Sequence, residues 1–299
     1  MRNRTTFGFL AVAILSAVPC FAATLPPAPP PLETYDSGTL HVQRFGNGSP
    51  VMLLPGLASG TWTWNGVVPH LALTHTVYAI GIAGFAGQAP ASGEVSFPHF
   101  VDELDALMQK AHLDKVAIVG HSLGGTLAIA YAEARPQRVS NLVAVDGLPV
   151  FPTLAGAGPA QRASVAAQVG DQVHDENPAE FAVYERNFFS TVGVSDAALA
   201  AQLAELSGKS DPRTVGNWLE ADLNADLRPQ LAAITAPFTE ITGWSSGEPY
   251  SQAQKTAFYQ SLLVGAPDAQ VVVIPNARHF VMLDQPAAFG AALDRALER

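Results

Sequence analysis

Apolar residues recur along the chain with two kinds of spacing, one typical of strands and one typical of helices. Residues 39–45, "TLHVQRF", alternate apolar and polar side chains as a half-buried strand does. Short apolar runs at 51–56 and 74–84 end in or contain Pro or Gly, which is typical of buried strands. Residues 97–113 predict a helix instead, because their apolar side chains recur at 97, 100, 101, 104, 107 and 108.

Strand and helix patterns then alternate along most of the chain. The strands are apolar on both faces, so we predict an α/β fold with a mostly parallel central sheet flanked by helices. The predicted strands lie at 115–120, 139–147, 236–243 and 269–277, and the predicted helices at 123–134, 251–263 and from about 285 onward.

The alternation stops between residues 148 and 230, where the pattern is helical and no strand is indicated. The sheet cannot be completed without the strands that follow this segment. We therefore predict one α/β core, formed by residues 35–147 and 231–299, into which a helical cap at 148–230 is inserted.

The N-terminus has the composition of a secretory signal. Two basic residues precede an apolar stretch that is short for a membrane span, and the small residue Ala22 offers a cleavage site. We predict a signal peptide at residues 1–22 and an exported protein, periplasmic or secreted, with no stable membrane anchor after cleavage. An uncleaved N-terminal anchor is the alternative. Residues 23–34 are rich in Pro and predict an extended linker.

Cleavage would change the chemistry of the chain. It removes Cys20, the only cysteine, so neither a disulfide nor a thiol nucleophile is expected. It also removes Arg2 and Arg4, which moves the net charge from −10 to −12. An acidic chain does not favour binding to nucleic acid or to anionic lipid. No His or carboxylate spacing indicates a metal site.

The strongest motif is Gly120-His121-Ser122-Leu123-Gly124, a G-x-S-x-G pattern between a predicted strand and a predicted helix. A serine on such a corner has its hydroxyl projected above the sheet, and the glycines allow close backbone approach. The N–H of Leu123 would lie at a helix N-terminus, where donors are free and an anion is favoured. A chance match in a Gly-rich loop is the alternative, and the strand–helix context disfavours it.

With this motif, the sequence resembles the α/β-hydrolase superfamily, in its capped, lipase- or esterase-like branch. The resemblance covers about residues 35–299, and it implies that Ser122 is a nucleophile and that no cofactor is needed. The segments that carry it are "LLPGLASG", "GIAGFAG", "GHSLGG", "DLRPQLAAITAP" and "RHFVMLDQP".

The resemblance also implies a general base, His279 in "RHFVMLDQP". A loop between the last strand and the last helix converges on the carboxyl edge of a parallel sheet, where a base could reach the serine. In the same segment Asp284 is predicted to be a helix N-cap and Pro286 an early helical residue. The side chain of His121 is predicted to point away from the site.

The resemblance places an oxyanion-binding N–H after the strand that ends near Leu54. Many such hydrolases have His-Gly there, whereas this chain has Pro55-Gly56, so Leu57 would be the donor together with Leu123. An ordinary turn at the end of a strand is the alternative reading of this segment.

The acid that would orient His279 has two candidates. The loop "TGWSSGEPY" at 242–250 has Ser246 where the family usually has an aspartate, and Glu248 follows two residues later. Asp146 ends the strand "NLVAVD" and matches the position that the acid takes in some members of the superfamily. We favour Asp146, because the tip of a strand is a more rigid support than a Ser-Gly-Pro loop, and Glu248 remains the alternative.

Together these residues predict a serine hydrolase that cleaves a carboxylic ester, or a lactone, through an acyl-enzyme. Its partner would be a small-molecule ester, and the oligomeric state cannot be read from the sequence. The alternatives are an amidase or C–C bond hydrolase with the same three residues, or a ligand-binding protein without catalysis. Trp62 and Trp218 are predicted to line an apolar substrate pocket, unless these aromatic residues only pack the cap onto the core.

Overall fold

The computed structural model describes residues 23–93 and 95–299, so the predicted signal peptide lies outside the described residues. An eight-stranded sheet has the order β1-β2-β4-β3-β5-β6-β7-β8. Strands β3 to β8 run parallel to one another, and β1 and β2 are antiparallel to their neighbours at one edge. The strands are β1 Glu33–Ser37, β2 Leu40–Phe45, β3 Ser49–Leu54, β4 His75–Ile82, β5 Val116–His121, β6 Val139–Val145, β7 Phe238–Trp244 and β8 Ala269–Pro275.

The described residues form ten α-helices, joined by short 3₁₀ turns and by one π-helical turn at Phe189–Gly193. The helices of the core lie between or after strands, as the alternating pattern predicts. The helices are α1 Val68–Leu71, α2 Phe97–Lys110, α3 Leu123–Ala134, α4 Pro159–His174, α5 Pro178–Phe188, α6 Ala197–Ser207, α7 Pro212–Asn224, α8 Gln252–Leu262, α9 Val281–Asp284 and α10 Pro286–Leu297.

Alternate residues of each central strand enter two separate apolar cores, one on each face of the sheet. In β3, Met52 and Leu54 pack into the core that also contains α2 and α3. Val51 and Leu53 point the other way, into the core that contains α1 and α10. Because both faces of these strands are covered, their sequences are continuously apolar rather than alternating.

Strand β1 was not predicted. It begins at Glu33, inside the expected linker, and pairs along its length with β2, from Glu33 opposite Arg44 to Ser37 opposite Leu40. Its side chains are mostly exposed and polar, because it is an edge strand. Of its apolar side chains, Tyr35 alone packs against a core, so a pattern of buried residues could not indicate it. The linker prediction is therefore wrong at its C-terminal end.

The residues before β1 are held against the protein. The N–H of Leu25 donates to Gln202 Oε1 at 3.2 Å, and Asn65 Nδ2 donates to the carbonyl of Pro26 at 2.9 Å. The first of these bonds reaches the cap and the second reaches the core. The Pro-rich segment is thus extended, as its composition predicts, but it is anchored at both of these points.

Helices α4 to α7 form an insertion between β6 and β7, at the position where the sequence pattern changes. The two ends of the insertion meet, because Val150 pairs with Asp226 in an isolated antiparallel bridge and the N–H of Leu227 donates to the carbonyl of Pro149 at 2.7 Å. The four helices therefore leave and rejoin the core at one point, beside the carboxyl end of β6. No helix within residues 23–93 and 95–299 has the length and apolar character to cross a membrane.

Two glycines allow α4 and α7 to pack with their backbones in contact. A Cβ at Gly216 would lie 2.6 Å from the carbonyl oxygen of Gly170, and a Cβ at Gly170 would lie 3.0 Å from that of Gly216. Gly290 in α10 provides a contrast, since a Cβ there would meet no atom within 4 Å. The close approach of α4 and α7 is consequently permitted by the two glycines, while Val173 of α4 and Val215 of α7 are buried in the same apolar core.

We predict opposite effects of alanine at these two kinds of helical glycine. Gly216→Ala should lower the free energy of unfolding by about 1–3 kcal/mol, because the added methyl forces α4 and α7 apart. Gly290→Ala should raise it by about 0.5–1 kcal/mol, because alanine is the better helix former and the site is open. Denaturant unfolding of both variants beside the wild type is the measurement, and a stable Gly216→Ala protein would contradict the close packing.

Candidate active site

Ser122 occupies the sharp turn between β5 and α3. Its backbone has φ 52° and ψ −123°, a region that residues other than glycine rarely adopt. The turn is held by its backbone hydrogen bonds: the N–H of Ser122 donates to the carbonyl of Val145 at 2.9 Å, and its own carbonyl accepts from Gly125 at 2.7 Å. This is the strand–turn–helix geometry that the G-x-S-x-G pattern predicts.

Close backbone approach explains the glycines of that motif. A Cβ at Gly120 would lie 2.0 Å from the carbonyl oxygen of Gly124, and a Cβ at Gly124 would lie 2.4 Å from that of Pro55. Neither position can hold a side chain unless the backbone moves. The loop after β3 is thereby brought directly beside Ser122.

His279 lies in the loop between β8 and α9 and is paired with Asp146, the residue after β6. Its Nδ1 lies 2.6 Å from Asp146 Oδ2, and both side chains are largely buried. The N–H of His279 donates to the carbonyl of Val192 in the π-helical turn of the cap, at 3.2 Å. The position of His279 is therefore fixed by two contacts, one between its ring and the Asp146 carboxylate and one between its backbone N–H and the cap.

The other carboxylate oxygen of Asp146 is also satisfied. Oδ1 accepts from the hydroxyls of Thr242 and Tyr259, each at 2.6 Å. Burial alone would raise the pKa of Asp146, but the hydrogen bond and charge of His279 outweigh it, with help from Lys255 and Thr242, and hold that pKa below its usual range. Asp146 is thus an ionised carboxylate with a fixed orientation.

Glu248 is held inside its own loop. One of its oxygens accepts from the N–H of Ser245 at 2.8 Å, and the other accepts from Lys255 Nζ at 3.1 Å. Neither oxygen is hydrogen-bonded to His279 in the part of the chain that the structure describes. Of the two candidate acids, the structure brings Asp146 to His279 and leaves Glu248 closing the turn after β7.

Ser122, His279 and Asp146 line one cavity of about 330 Å³, which lies between the carboxyl edge of the sheet and the cap. The surface that lines it is mostly apolar, although half of the lining residues carry a polar side chain. Besides those three, the lining consists of Gly56, Leu57, Ser59, His121, Thr126, Gly147, Leu148, Val150, Phe151, Pro152, Thr153, Tyr184, Glu185, Phe188, Val192, Leu219, Asp222, Tyr259 and Phe280.

Leu57 and Leu123 flank Ser122 from the two turns that approach it. Leu57 lines the cavity, and Leu123 is the first residue of α3. Within the described residues, neither backbone N–H donates a hydrogen bond to another protein group. A Cβ at Gly56 would lie 3.1 Å from the Cβ of Ser122, so the loop after β3 is close enough to present the N–H of Leu57 to a group bound at the serine.

Trp62 and Trp218 do not line the cavity, which corrects their predicted role. Trp62 stacks on Phe280 with ring centroids 6.0 Å apart, outside the cavity wall. Trp218 is buried against Phe97 and Phe100 and fixes α7 of the cap onto α2. Their indoles pack the cap and the loops onto the core, the alternative that the sequence leaves open.

The aromatic residues that do reach the cavity come from other positions. Phe188 and Tyr184 lie on α5, Phe151 lies in the connection after β6, and Phe280 follows His279. The ring of Phe188 stands edge-on to the imidazole of His279, with centroids 5.9 Å apart. The sequence indicates that Tyr184 and Phe188 are aromatic residues of the helical cap and therefore candidates for such a pocket, but it does not say which face of α5 is turned towards the sheet.

His121 was expected to point away from the site, but its ring lies directly under the His279 loop. Its Nε2 lies 3.1 Å from the carbonyl oxygen of His279, and its ring centroid is 4.6 Å from that of the His279 imidazole. Burial, followed by the proximity of His279, lowers the pKa of His121 to about 3. It is therefore a neutral support for the loop.

Asp284 is not the predicted N-cap. It ends α9, and α10 begins at Pro286 after Gln285. The Asp284 carboxylate accepts from the N–H of Arg278 at 2.7 Å and from the hydroxyl of Ser195 at 2.8 Å. This carboxylate joins the His279 loop to the cap, a tertiary contact that local sequence cannot indicate. The placement of Pro286 in the first turn of α10 agrees with the prediction.

No group of three or more His, Cys, Asp or Glu side chains is placed to hold a metal ion among the described residues. The polar groups that reach the cavity are hydroxyls, carboxyls, imidazoles and backbone amides. The arrangement is suited to proton transfer and to the stabilisation of an oxyanion.

Comparison with known proteins gives consistent matches. Residues 49–286 match the family model described as the alpha/beta hydrolase fold. A pimeloyl-[acyl-carrier protein] methyl ester esterase of Nitrosomonas europaea is 26% identical over 266 residues, which cover 86% of this chain and 98% of that protein. The esterase of the same name from Aeromonas hydrophila is 35% identical over 116 residues, and the match spans only 38% of this chain and 43% of that protein.

The fold has a close counterpart among solved structures. A thermophilic esterase from Thermogutta terrifontis superposes with a TM-score of 0.73 at 19% identity, over 89% of this chain and 98% of that one. The family match covers most of the chain, and the strand order, the turn at Ser122 and the inserted helices agree with it. This chain belongs to the α/β-hydrolase family.

Proposed function

We propose that the protein is a serine hydrolase that cleaves carboxylic esters, with lactones as a related substrate class. The observation that carries the proposal is the 2.6 Å contact between His279 Nδ1 and Asp146 Oδ2 in the cavity that Ser122 also lines. A serine on a nucleophile elbow, an imidazole and an ionised carboxylate are the groups that acyl transfer requires. The esterase names of the relatives support the choice of esters.

In the proposed reaction, Ser122 Oγ attacks the ester carbonyl carbon while His279 Nε2 accepts the hydroxyl proton. Asp146 stabilises the imidazolium that forms and keeps Nδ1 protonated. The N–H groups of Leu57 and Leu123 donate to the oxyanion of the tetrahedral intermediate. His279 then returns the proton to the leaving alcohol, and an acyl-enzyme remains on Ser122. Water, deprotonated by His279, attacks the acyl-enzyme and releases the acid.

The cavity and the nucleophile both narrow the class of substrate. The cavity of about 330 Å³ is walled by Leu148, Val150, Leu219 and aromatic rings, which favour an apolar acyl or alcohol group. A serine nucleophile also disfavours dehalogenase and epoxide hydrolase chemistry, which in this superfamily proceeds through an aspartate.

A fluorophosphonate probe tests the nucleophile. We expect wild-type protein to be labelled at Ser122, because the probe reacts with a serine that an adjacent base activates. Ser122→Ala should abolish labelling and the hydrolysis of p-nitrophenyl esters, whereas Ser246→Ala, which changes an exposed serine in the loop after β7, should affect neither. Mass spectrometry of the labelled peptide is the measurement. An unlabelled wild-type protein would refute the proposal.

Amide variants of the two acids test which one orients the base. Asp146→Asn should lower kcat by a factor on the order of 10⁴, because the amide no longer favours the required tautomer of His279. Glu248→Gln should leave kcat within about tenfold of the wild type, because Glu248 contacts only its own loop and Lys255. The measurement is steady-state hydrolysis of one ester by both variants. The reverse order of effects would transfer the role to Glu248.

We further propose that the protein is exported, on the basis of the composition of residues 1–22. Expression of the full-length chain in a Gram-negative host should give a periplasmic product that begins at Ala23. Intact mass and N-terminal sequencing of each cell fraction check this. A product that retains residues 1–22 in the membrane fraction would favour the N-terminal anchor instead.

A further inference from the structure

Two carboxyl groups in the cavity take no part in the proposed reaction. Glu185 extends from α5 and Asp222 from α7, so both belong to the cap and face the sheet across the cavity. Glu185 is only 4% exposed, and Asp222 is partly exposed towards the cavity. Carboxyl groups rarely occupy such positions without a partner, because burying an unpaired charge is costly.

Each of the two carboxyls has one hydroxyl beside it, which is shared with a backbone carbonyl. Ser207 lies beside Glu185, and its hydroxyl also donates to the carbonyl of Ala58 at 2.9 Å. Thr126 lies beside Asp222, and its hydroxyl also donates to the carbonyl of Leu148 at 3.1 Å. A hydroxyl has a single proton to donate, so neither carboxylate has a donor of its own, and no Lys or Arg lies among the described residues that line the cavity.

The charge of the cavity has one sign. Its lining residues, all within the described part of the chain, include the three carboxyls Asp146, Glu185 and Asp222 but no Lys or Arg. Asp146 is balanced by His279 and Lys255, whereas the two carboxyls of the cap are not. Ionised, they create a negative potential on the cap side of the cavity that would repel an anionic ligand and attract a cationic one.

Protonation controls this potential near neutral pH. Burial raises the pKa of Glu185 to about 7. The hydroxyl of Ser207 opposes this shift, and the charge of Glu176, in the loop between α4 and α5, adds to it. Burial also raises the pKa of Asp222 to about 7, against the effect of the Thr126 hydroxyl. Tyr184 is the other titratable neighbour of Glu185, and its raised pKa keeps it neutral in this range. The negative charge that the cap presents to the cavity therefore grows as the pH rises through the neutral range.

We propose that Glu185 and Asp222 make the cavity selective for ester substrates that carry a cationic group on their acyl or alcohol part. This inference rests on the proposed ester hydrolysis. A cationic group provides the positive charge that both carboxylates lack, and the apolar walls accommodate the carbon skeleton. Esters that carry a free carboxylate are excluded by the same two residues.

The test uses sets of esters with the same length and shape that end in trimethylammonium, tert-butyl or carboxylate, on the acyl side in one set and on the alcohol side in another. At pH about 8, where both carboxyls are ionised, we expect kcat/KM for the trimethylammonium ester to exceed that of the tert-butyl ester by about tenfold or more in one set. The carboxylate ester should be the poorest substrate. The preference should decline as the pH is lowered to about 6.

Variants assign the preference to the two residues. Combining Glu185→Gln with Asp222→Asn should reduce the ratio between the trimethylammonium and tert-butyl esters to about one. Glu220→Gln removes a carboxylate from the exposed face of α7 and should keep the wild-type ratio. Each ratio is internally normalised, so a general loss of activity in a variant does not affect it. Equal hydrolysis of the two esters by the wild type in both sets, or a preference that survives in the double variant, would overturn the inference.

A binding measurement separates this inference from the proposed reaction. Unreactive ether analogues of the same compounds, titrated by calorimetry, should show the same order of affinity without turnover. A protein that binds the ammonium analogue tightly but hydrolyses no ester would refute the proposed function and retain the selectivity for cationic ligands. A protein that hydrolyses esters but binds all three analogues equally would refute that selectivity and retain the proposed function.

Discussion

The close contact between the turns that end β3, β5 and β6 is the constraint on which the rest of the site depends. A Cβ at Gly124 would lie 2.4 Å from the carbonyl oxygen of Pro55, and a Cβ at Gly147 would lie 2.6 Å from that of Ser122. The residues that directly follow these three neighbouring strands can therefore lie together in one small volume. Ser122 and Asp146 both have positive φ at these strand ends, so the strain falls on two residues that the proposed chemistry uses.

Hydrogen bonding decides which of the buried carboxyl groups near the ends of these strands is ionised. Asp146 is surrounded by donors from His279, Thr242 and Tyr259, and its pKa is low. Glu240, on the adjacent strand β7, is fully buried, and neither of its carboxyl oxygens has a hydrogen-bond partner in the described part of the chain. Burial, followed by the charge of Asp146, raises the pKa of Glu240 well above its usual value. A neutral Glu240 beside a charged Asp146 keeps the negative charge at the end that faces His279.

Local sequence predicts features whose cause is local and misses those whose cause is tertiary. The parallel strands and the turn at Ser122 follow from apolar runs and from glycines that their own segments require. Strand β1 could not be predicted, because an exposed edge strand has no apolar periodicity. The roles of Trp62, Trp218 and Asp284 depend on which distant segment lies opposite each side chain. The sequence offers both Asp146 and Glu248 as acids, and the hydrogen bonds that Glu248 accepts from Ser245 and Lys255 explain why its carboxylate stays in its own loop.

The hydrogen bonds between the π-helical turn of the cap and the His279 loop make these two segments one mechanical unit. The N–H groups of His279 and Phe280 donate to the carbonyls of Val192 and Gly193, and Arg278 Nη1 donates to those of Ser190 and Val194. A cap that swung open at this edge would carry the imidazole away from Ser122 or would break these bonds. Passage of ligands is thus constrained to movements of the cap that leave this edge in place, and proton-transfer geometry is coupled to the position of the cap.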